Sequence, residues 1–122
     1  MKIINWFQIP AVNLDRAMKF YGDILNATFH QMAMGTEKHA FFALDTQGSE
    51  RTGGEIIQSA KLKPSVDGVI IYFDAPGGVD AVLSRVEKAG GKITVPKTGI
   101  GEFGFIALVL DTEGNQIGLH SM

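Results

Sequence analysis

Two amphipathic helical stripes repeat along the chain, and this repetition constrains the fold more than any other feature of the sequence. Leu14 of the first stripe corresponds to Val79 of the second, an offset of 65 residues, about half of the 122-residue chain. Apolar residues at i, i+3, i+4 and i+7 form one face of an α-helix. The two stripes are Leu14, Ala17, Met18, Tyr21 and Leu25, and then Val79, Val82, Leu83, Val86 and Ala89. The sequence therefore predicts one supersecondary unit that occurs twice.

Each predicted helix follows one strand-like run and precedes three more. In the first half, runs of β-forming residues predict strands at 3–9, 28–34, 39–44 and 53–59, with Asn13 as the helix N-cap. In the second half, the strands are predicted at 69–73, 92–95, 103–110 and 115–120. We predict a single α+β domain over residues 1–122, made of two βαβββ modules at about 1–62 and 63–122. A ferredoxin-like barrel is the rival fold, but it has fewer strands per helix.

The charge balance and the lack of cysteine exclude several classes of function. Eleven basic and thirteen acidic residues give a net charge of −2, and neither sign forms a run that would suit nucleic acid or an anionic membrane. Without cysteine there are no disulfides, thiolate nucleophiles or Cys-based metal sites, which favours the reducing cytoplasm. No segment reads as a signal peptide or a membrane span. We expect a cytoplasmic protein with no nucleic-acid or membrane partner.

Two βαβββ modules placed side by side form a cup, and every second residue of the inner strands faces into it. This alternation predicts that Gln8, Tyr72 and His120 line the pocket, with Glu55 as a possible fourth polar group. The glycine-rich segment 96–105 lacks the Lys-Ser/Thr ending of a phosphate-binding loop, and we interpret it as a flap that carries Phe103 to the pocket mouth. The predicted site is therefore an apolar cup with a few polar groups.

Three segments resemble motifs of the vicinal oxygen chelate superfamily, which includes glyoxalase I, extradiol dioxygenases, fosfomycin-resistance enzymes and metal-free bleomycin-binding proteins. Residues 13–21 are similar to the helix-one signature, and residues 88–93 follow the second helix as in the family. Residues 111–118 (DTEGNQIG) are similar to the closing hairpin, whose usual form is Asp-Pro-Asp-Gly-Asn followed by an apolar residue and a Glu. The resemblance covers the whole chain. It implies the cupped fold, a small-molecule ligand and a homodimer.

The resemblance also implies metal-ligand positions on the first and last strand of each module. Here they fall on Trp6, Gly68 and Gly118, none of which offers an imidazole or a carboxylate, and Glu55 alone is compatible with a ligand position. One carboxylate does not hold a divalent ion against water. We expect no metal and no other cofactor. A displaced metal site built from Gln8, Glu55 and His120 is the alternative.

Two functions follow from these observations. The first is a metal-free binding protein that sequesters an apolar or aromatic ligand against aromatic walls. Those walls are predicted to be Trp6, Phe42, Tyr72 and Phe105, with Phe103 at the mouth as a further ligand contact. The second is a lyase, isomerase or dioxygenase of the glyoxalase type that uses Glu55 and His120, with or without a divalent metal. Of the remaining candidates, His30 and His39 are interpreted as surface residues, and Met18, Met32 and Met34 as core.

Overall fold

The computed structural model describes residues 3–43 and 52–122, which form two helices and eight strands. The first module comprises β1 (Trp6–Pro10), α1 (Leu14–Leu25), β2 (Phe29–Met34), β3 (Glu37–Phe42) and β4 (Gly53–Gln58). The second comprises β5 (Tyr72–Asp74), α2 (Val79–Val86), β6 (Lys92–Gly99), a 3₁₀ turn (Gly101–Phe103), β7 (Phe105–Leu110) and β8 (Gln116–Ser121). The predicted α+β class and the βαβββ order of each half are confirmed.

Each module forms its own four-stranded sheet with the same topology. The strand orders are β1-β4-β3-β2 and β5-β8-β7-β6. The outer pairs β1/β4 and β5/β8 are parallel, and the other pairs are antiparallel. The two parallel pairs bring the first and last strand of each module together, so residues far apart in the sequence meet there.

The apolar helix stripes pack on the sheets and merge the two modules into one core. The buried side of α1 is Leu14, Ala17, Phe20, Tyr21 and Ile24, and that of α2 is Val79, Val82 and Val86. The Phe7 ring on β1 meets the Phe73 ring on β5 at 5.7 Å between centroids. Because this core is shared, the two modules support each other.

A polar network buried beneath α1 also joins the modules. The Tyr21 hydroxyl donates to Asp111 Oδ2 at 2.6 Å, and Asn115 Nδ2 donates to the same oxygen at 2.9 Å. Burial, together with the Asp111 charge and hydrogen bond, raises the pKa of Tyr21 well above its ordinary value of 10. The turn after β7 therefore anchors the first helix, which explains much of the 111–118 motif as structure.

Glu113 in the same turn caps the start of α1. Its Oε1 accepts hydrogen bonds from the backbone N–H groups of Val12 at 2.8 Å and Asn13 at 2.7 Å, and Oε2 accepts from Arg16 Nε at 2.7 Å. The predicted N-cap is confirmed, since Asn13 Oδ1 accepts from the Arg16 N–H at 3.0 Å. Burial alone would raise the pKa of Glu113, but the hydrogen bonds from Arg16, Asn13 and Thr112 outweigh it and lower that pKa.

Two local predictions are wrong. The strand predicted at 69–73 is only Tyr72–Asp74, because these residues alone pair with β8, and Val69 is 93% exposed. Met32 and Met34 lie on β2 and are 44% and 55% exposed instead of belonging to the core, because β2 is the edge strand of its sheet. Leu44, predicted to end a strand, lies outside the described residues. Within the described ranges, neither helix has the length and apolar character needed to cross a bilayer.

Candidate functional site

Glu55 is the centre of a polar cluster on the face of the first sheet that is turned away from the core. Glu55 is buried, with 5% of its surface exposed. Oε2 accepts hydrogen bonds from Trp6 Nε1 at 3.2 Å and from Gln8 Nε2 at 3.4 Å, and Oε1 is in short contact with His39 Nδ1. These groups converge because β1 pairs in parallel with β4, which sets Gln8 opposite Glu55. Sequence alternation places Trp6 and Gln8 on one face of β1, and the pairing of β1 with β4 adds Glu55 to them.

His39 belongs to this cluster, which contradicts its interpretation as a surface residue. It is 5% exposed, and its ring stacks on Phe41 with 5.8 Å between centroids and an interplanar angle of 6°. The reason is that β3 is an interior strand, paired with β4 on one side and β2 on the other. Alternation along β3 turns Ala40 into the core and His39 toward Glu55. His30, on edge strand β2, is exposed as predicted.

Phe42 does not form a wall of this site, and that prediction is also corrected. Its ring packs in the core with Phe29 at 4.8 Å, Phe7 at 5.6 Å and Tyr21 at 6.2 Å between centroids. The neighbouring Phe41 takes its place, with its ring 6.0 Å from that of Trp6. A shift of one residue along a strand exchanges the two faces.

The second sheet presents different groups at matching positions. In the pairing of β5 with β8, Tyr72 lies opposite Gly118 and Asp74 opposite His120. Tyr72 is 44% exposed, and His120 Nε2 donates to the Phe103 carbonyl at 2.6 Å. The hydrogen bonds of Glu55 and His120, the two proposed catalytic groups, are therefore made to different partners on different sheets.

Phe103 and Phe105 lie at the edge of this second surface. They are 67% and 37% exposed, and Lys97 Nζ lies 4.4 Å from the centre of the Phe105 ring. Phe103 is in the 3₁₀ turn that follows β6, within the glycine-rich segment predicted to form a flap. Both rings are accessible to a ligand on this side of the molecule.

The strand register tests whether these residues fit the divalent metal that the family resemblance implies. If Gly118 marks the last-strand ligand position, its partner on β5 is Tyr72 rather than the predicted Gly68, which lies in the preceding loop. The backbone N–H of Leu14 donates to Gln58 and that of Val79 donates to Ser121, so Gln58 matches Ser121 and, three residues earlier, Glu55 matches Gly118. The matching pair of the first module is therefore Gln8 and Glu55. Moreover, a Cβ atom at Gly118 would collide with the Tyr72 ring.

These residues do not fit a metal ion. At the four positions an amide, a phenol and a glycine leave Glu55 as the single carboxylate, and one carboxylate does not hold a divalent ion against water. No three His, Cys, Asp or Glu residues come together as a possible metal site in residues 3–43 and 52–122. Gln8 uses its amide N–H on Glu55, and His120 bonds elsewhere, which leaves a displaced site from these three residues without support.

A largely apolar cavity of about 510 Å³ lies at the seam between the modules, where β1 and β5 approach each other. We call it the seam cavity. Its lining residues are Ile4, Phe7, Thr52, Val69, Ile70, Ile71, Tyr72, Phe73 and Asp74. A second, more polar groove of about 560 Å³ lies at the start of α1 and includes Asp15, Gln31, Lys38 and Gln58. The volume of the seam cavity is within the range of small-molecule pockets.

Sequence reasoning missed Glu37, His39 and Phe41, although a signal for them was present. The three alternate along β3, and β3 pairs antiparallel with β4 so that Phe41 lies opposite Glu55. Recognising β3 as the neighbour of β4 would have placed His39 beside Glu55. The order of strands within the sheet, which the sequence pattern does not state directly, was the missing information.

Comparison with known proteins identifies the family of this fold. The model of the Glyoxalase/Bleomycin resistance protein/Dioxygenase superfamily matches residues 3–119. A glyoxalase/bleomycin resistance protein from Albidiferax ferrireducens is 18% identical with a TM-score of 0.72, and 98% of each chain is covered. No curated protein matches the chain.

Two similar structures carry names that suggest different activities. A genomically encoded fosfomycin resistance protein from Listeria monocytogenes is 16% identical with a TM-score of 0.72, and the match covers 100% of this chain and 92% of that one. A mutant of glyoxalase I from Zea mays is 16% identical with a TM-score of 0.75, and the match covers 96% of this chain but 45% of that one. At these identities the likeness shows the fold alone.

Proposed function

The chain belongs to the Glyoxalase/Bleomycin resistance protein/Dioxygenase superfamily, and we propose that within this family it binds a small apolar or aromatic molecule in the seam cavity. The apolar composition of the cavity lining is the observation that supports this proposal. Seven of its nine lining residues are apolar or aromatic, and Thr52 and Asp74 are the polar exceptions. A pocket of this composition binds mainly by removing apolar ligand surface from water, with a few polar groups fixing orientation.

The exposed side chains at the cavity support an open binding site. Ile4 is 60% exposed, Val69 is 93% exposed and Tyr72 is 44% exposed. Large apolar side chains in water at the mouth of a cavity are a typical feature of ligand or partner sites. Tyr72 adds a ring for stacking and a hydroxyl for a hydrogen bond.

An NMR titration with indole, a flat neutral aromatic probe, tests this proposal. We expect saturable shifts of the backbone signals of Ile70, Ile71 and Phe73. Val69→Glu should weaken binding at least about tenfold, since a carboxylate at the mouth disfavours an apolar ligand. Val66→Glu is the matched control, because Val66 is also exposed in the same loop but does not line the cavity. Equal binding by both variants, or shifts confined to the groove at the start of α1, would contradict the proposal.

A proton-transfer enzyme of the glyoxalase type is the second candidate. The observation in its favour is the buried Glu55 carboxylate, which receives donors from Trp6 and Gln8 and contacts His39. A buried carboxylate beside an imidazole and further hydrogen-bond donors is an arrangement that proton-transfer sites use. Lactoylglutathione lyase assays with added nickel, zinc or manganese discriminate the candidates, and we expect no turnover. Turnover that Glu55→Gln abolishes would favour the enzyme.

We also propose that the protein is a homodimer. Trp6, Met32 and Met34 are 44% to 55% exposed on one face of the first sheet. Among the described strands, β1 and β5 each pair on one side only, and such edges favour association between chains. Sedimentation velocity should give the mass of two chains at micromolar concentration; a single-chain mass would contradict this part.

A further inference from the structure

We propose that Glu55, His39 and Glu37 form a proton relay that runs from the buried carboxylate to the rim of the first sheet. Glu37 and His39 are on β3, and Glu55 is on the neighbouring β4. The relay is separate from the ligand binding proposed above, since none of its three residues lines the seam cavity. It is a proton-transfer site on a different surface.

The geometry places one carboxylate at each end of the imidazole. His39 Nδ1 contacts Glu55 Oε1, and His39 Nε2 lies 3.8 Å from Glu37 Oε1. The exposed fraction of the side chains rises from 6% for Glu55 and His39 to 35% for Glu37. The Ser59 hydroxyl donates to Glu37 Oε2 at 2.7 Å and fixes the outer carboxylate. The three groups thus form a path from the interior of the site to solvent.

The free ring nitrogen is the observation that favours a relay over a fixed structural pair. His39 Nε2 is buried and has no hydrogen-bond partner in the described part of the chain. An unsatisfied buried nitrogen is costly, and native proteins rarely keep one without a role. In a relay the imidazole accepts a proton at one nitrogen while it releases a proton from the other, and the Glu37 carboxylate, 3.8 Å from Nε2, closes on that nitrogen when the relay operates.

The transfer is balanced without any co-reactant. A protonated Glu37 gives its proton to His39 Nε2, and Nδ1 passes its own proton to the Glu55 carboxylate. Glu37 ends charged, Glu55 ends neutral, and the ring ends in its other tautomer. The reverse transfer restores the starting state. Each tautomer donates to the carboxylate that is charged and accepts from the carboxyl that is protonated.

Glu55 would exchange its proton with a ligand at Oε2. The two hydrogen bonds to this oxygen, 3.2 Å from Trp6 and 3.4 Å from Gln8, are long, so a ligand donor can replace one of them. The matching ligand class is a small molecule with an acidic hydroxyl group, or with a C–H group beside a carbonyl. The Trp6 indole, 48% exposed, offers a ring surface for such a ligand.

No other ionisable group among the described residues faces the ring. Its strand partners are Met32 on β2 and Ile57 on β4, and Phe41 stacks on it. The neighbouring Lys38 lies on the other face of β3, and its strand partner on β4 is Gln58. A change at Glu37 should therefore affect His39 directly and without compensation.

Imidazole NMR on the ¹⁵N-labelled full chain tests the relay, with His39→Gln to assign the ring signals. We expect Nδ1 to carry the main proton at neutral pH and Nε2 to carry a measurable fraction. Glu37→Gln should lower the Nε2-protonated fraction at least about twofold and slow solvent exchange of the Nδ1 proton at least about fivefold. Glu87→Gln, the same change at an exposed site on the second module, should alter neither.

Glu37→Asp provides a second variant that keeps the charge, and it should restore exchange toward the wild-type rate. A purely structural His39 would give the same tautomer fractions and exchange rates in Glu37→Gln and Glu87→Gln. That result, or a ring that carries no proton on Nδ1, would overturn the relay. Neither result bears on indole binding in the seam cavity, so the two proposals fail separately.

Discussion

The faces of the two sheets that are turned away from the core carry different residues at the same strand positions. The pair Gln8 and Glu55 of the first sheet matches the pair Tyr72 and Gly118 of the second. Two residues further along the last strand of the second sheet lies His120, opposite Asp74.

The environments of Glu55 and His120 show what this difference means. Glu55 is buried and held by neighbours from two strands, whereas His120 is half-buried and bonds to one backbone carbonyl. The repeated fold therefore carries a buried carboxylate in the first half where the second half has a glycine covered by a tyrosine ring. It has concentrated its buried polar chemistry in the first half.

The largest expected effect comes from removing the acid of the first sheet. Glu55→Ala leaves the donors of Trp6 and Gln8 and the buried His39 without their partner, and should cost about 3 kcal/mol of unfolding free energy. His120→Ala, on the last strand of the second sheet, should cost less than about 1 kcal/mol. Urea unfolding of the two variants measures both values. Equal losses would mean that the two faces do not differ as described.

A smaller effect is expected from filling the space above Gly118 on the second sheet. The Cβ atom of Gly118→Ala collides with the Tyr72 ring, and we expect a loss of about 2 kcal/mol in unfolding free energy. The double variant with Tyr72→Ala should lose less than the sum of the single changes, since it removes the collision. Gly99→Ala is the control, because its Cβ would meet Phe105 only at 3.8 Å. Additive losses would show that Tyr72 does not cover Gly118.

The smallest effect concerns the side-chain capping of the two helices, which is stronger at the start of α1 than at the start of α2. Glu113 caps α1, whereas Gly78 at the start of α2 offers no side-chain cap. Glu113→Gln should cost about 1 kcal/mol at pH 7. Because hydrogen bonds lower the pKa of Glu113 in the folded state, its contribution is present above the ordinary value of 4.5 and is lost as the pH falls further. Unfolding measured from pH 7 to pH 3 should show the gap to wild type closing, and a constant gap would contradict this.

Periodicity alone was sufficient to predict the repeat, the order of elements and the cap at Asn13. These features depend on local spacing, which the chain displays directly. It also placed Trp6 and Gln8 on one face of β1, because alternation within a strand needs no knowledge of its neighbours.

The errors arose where tertiary pairing decides the outcome. His39 is buried because β3 lies between two other strands, and Met34 is exposed because β2 lies at the edge. Phe42 rather than Phe41 enters the core because Phe41 pairs with Glu55 of β4 and shares its face of the sheet. Strand order and register depend on contacts between distant residues, so a single sequence does not state them.

Metal content measured on protein purified without a chelator tests most directly whether the matching positions Gln8, Glu55, Tyr72 and Gly118 lack the ability to bind an ion. We expect less than about 0.1 equivalents of nickel, zinc, iron or manganese per chain, because Glu55 is the single metal-binding side chain among them. A stoichiometric metal that disappears in Glu55→Ala or His120→Ala would contradict the strand register and the metal-free binding role together.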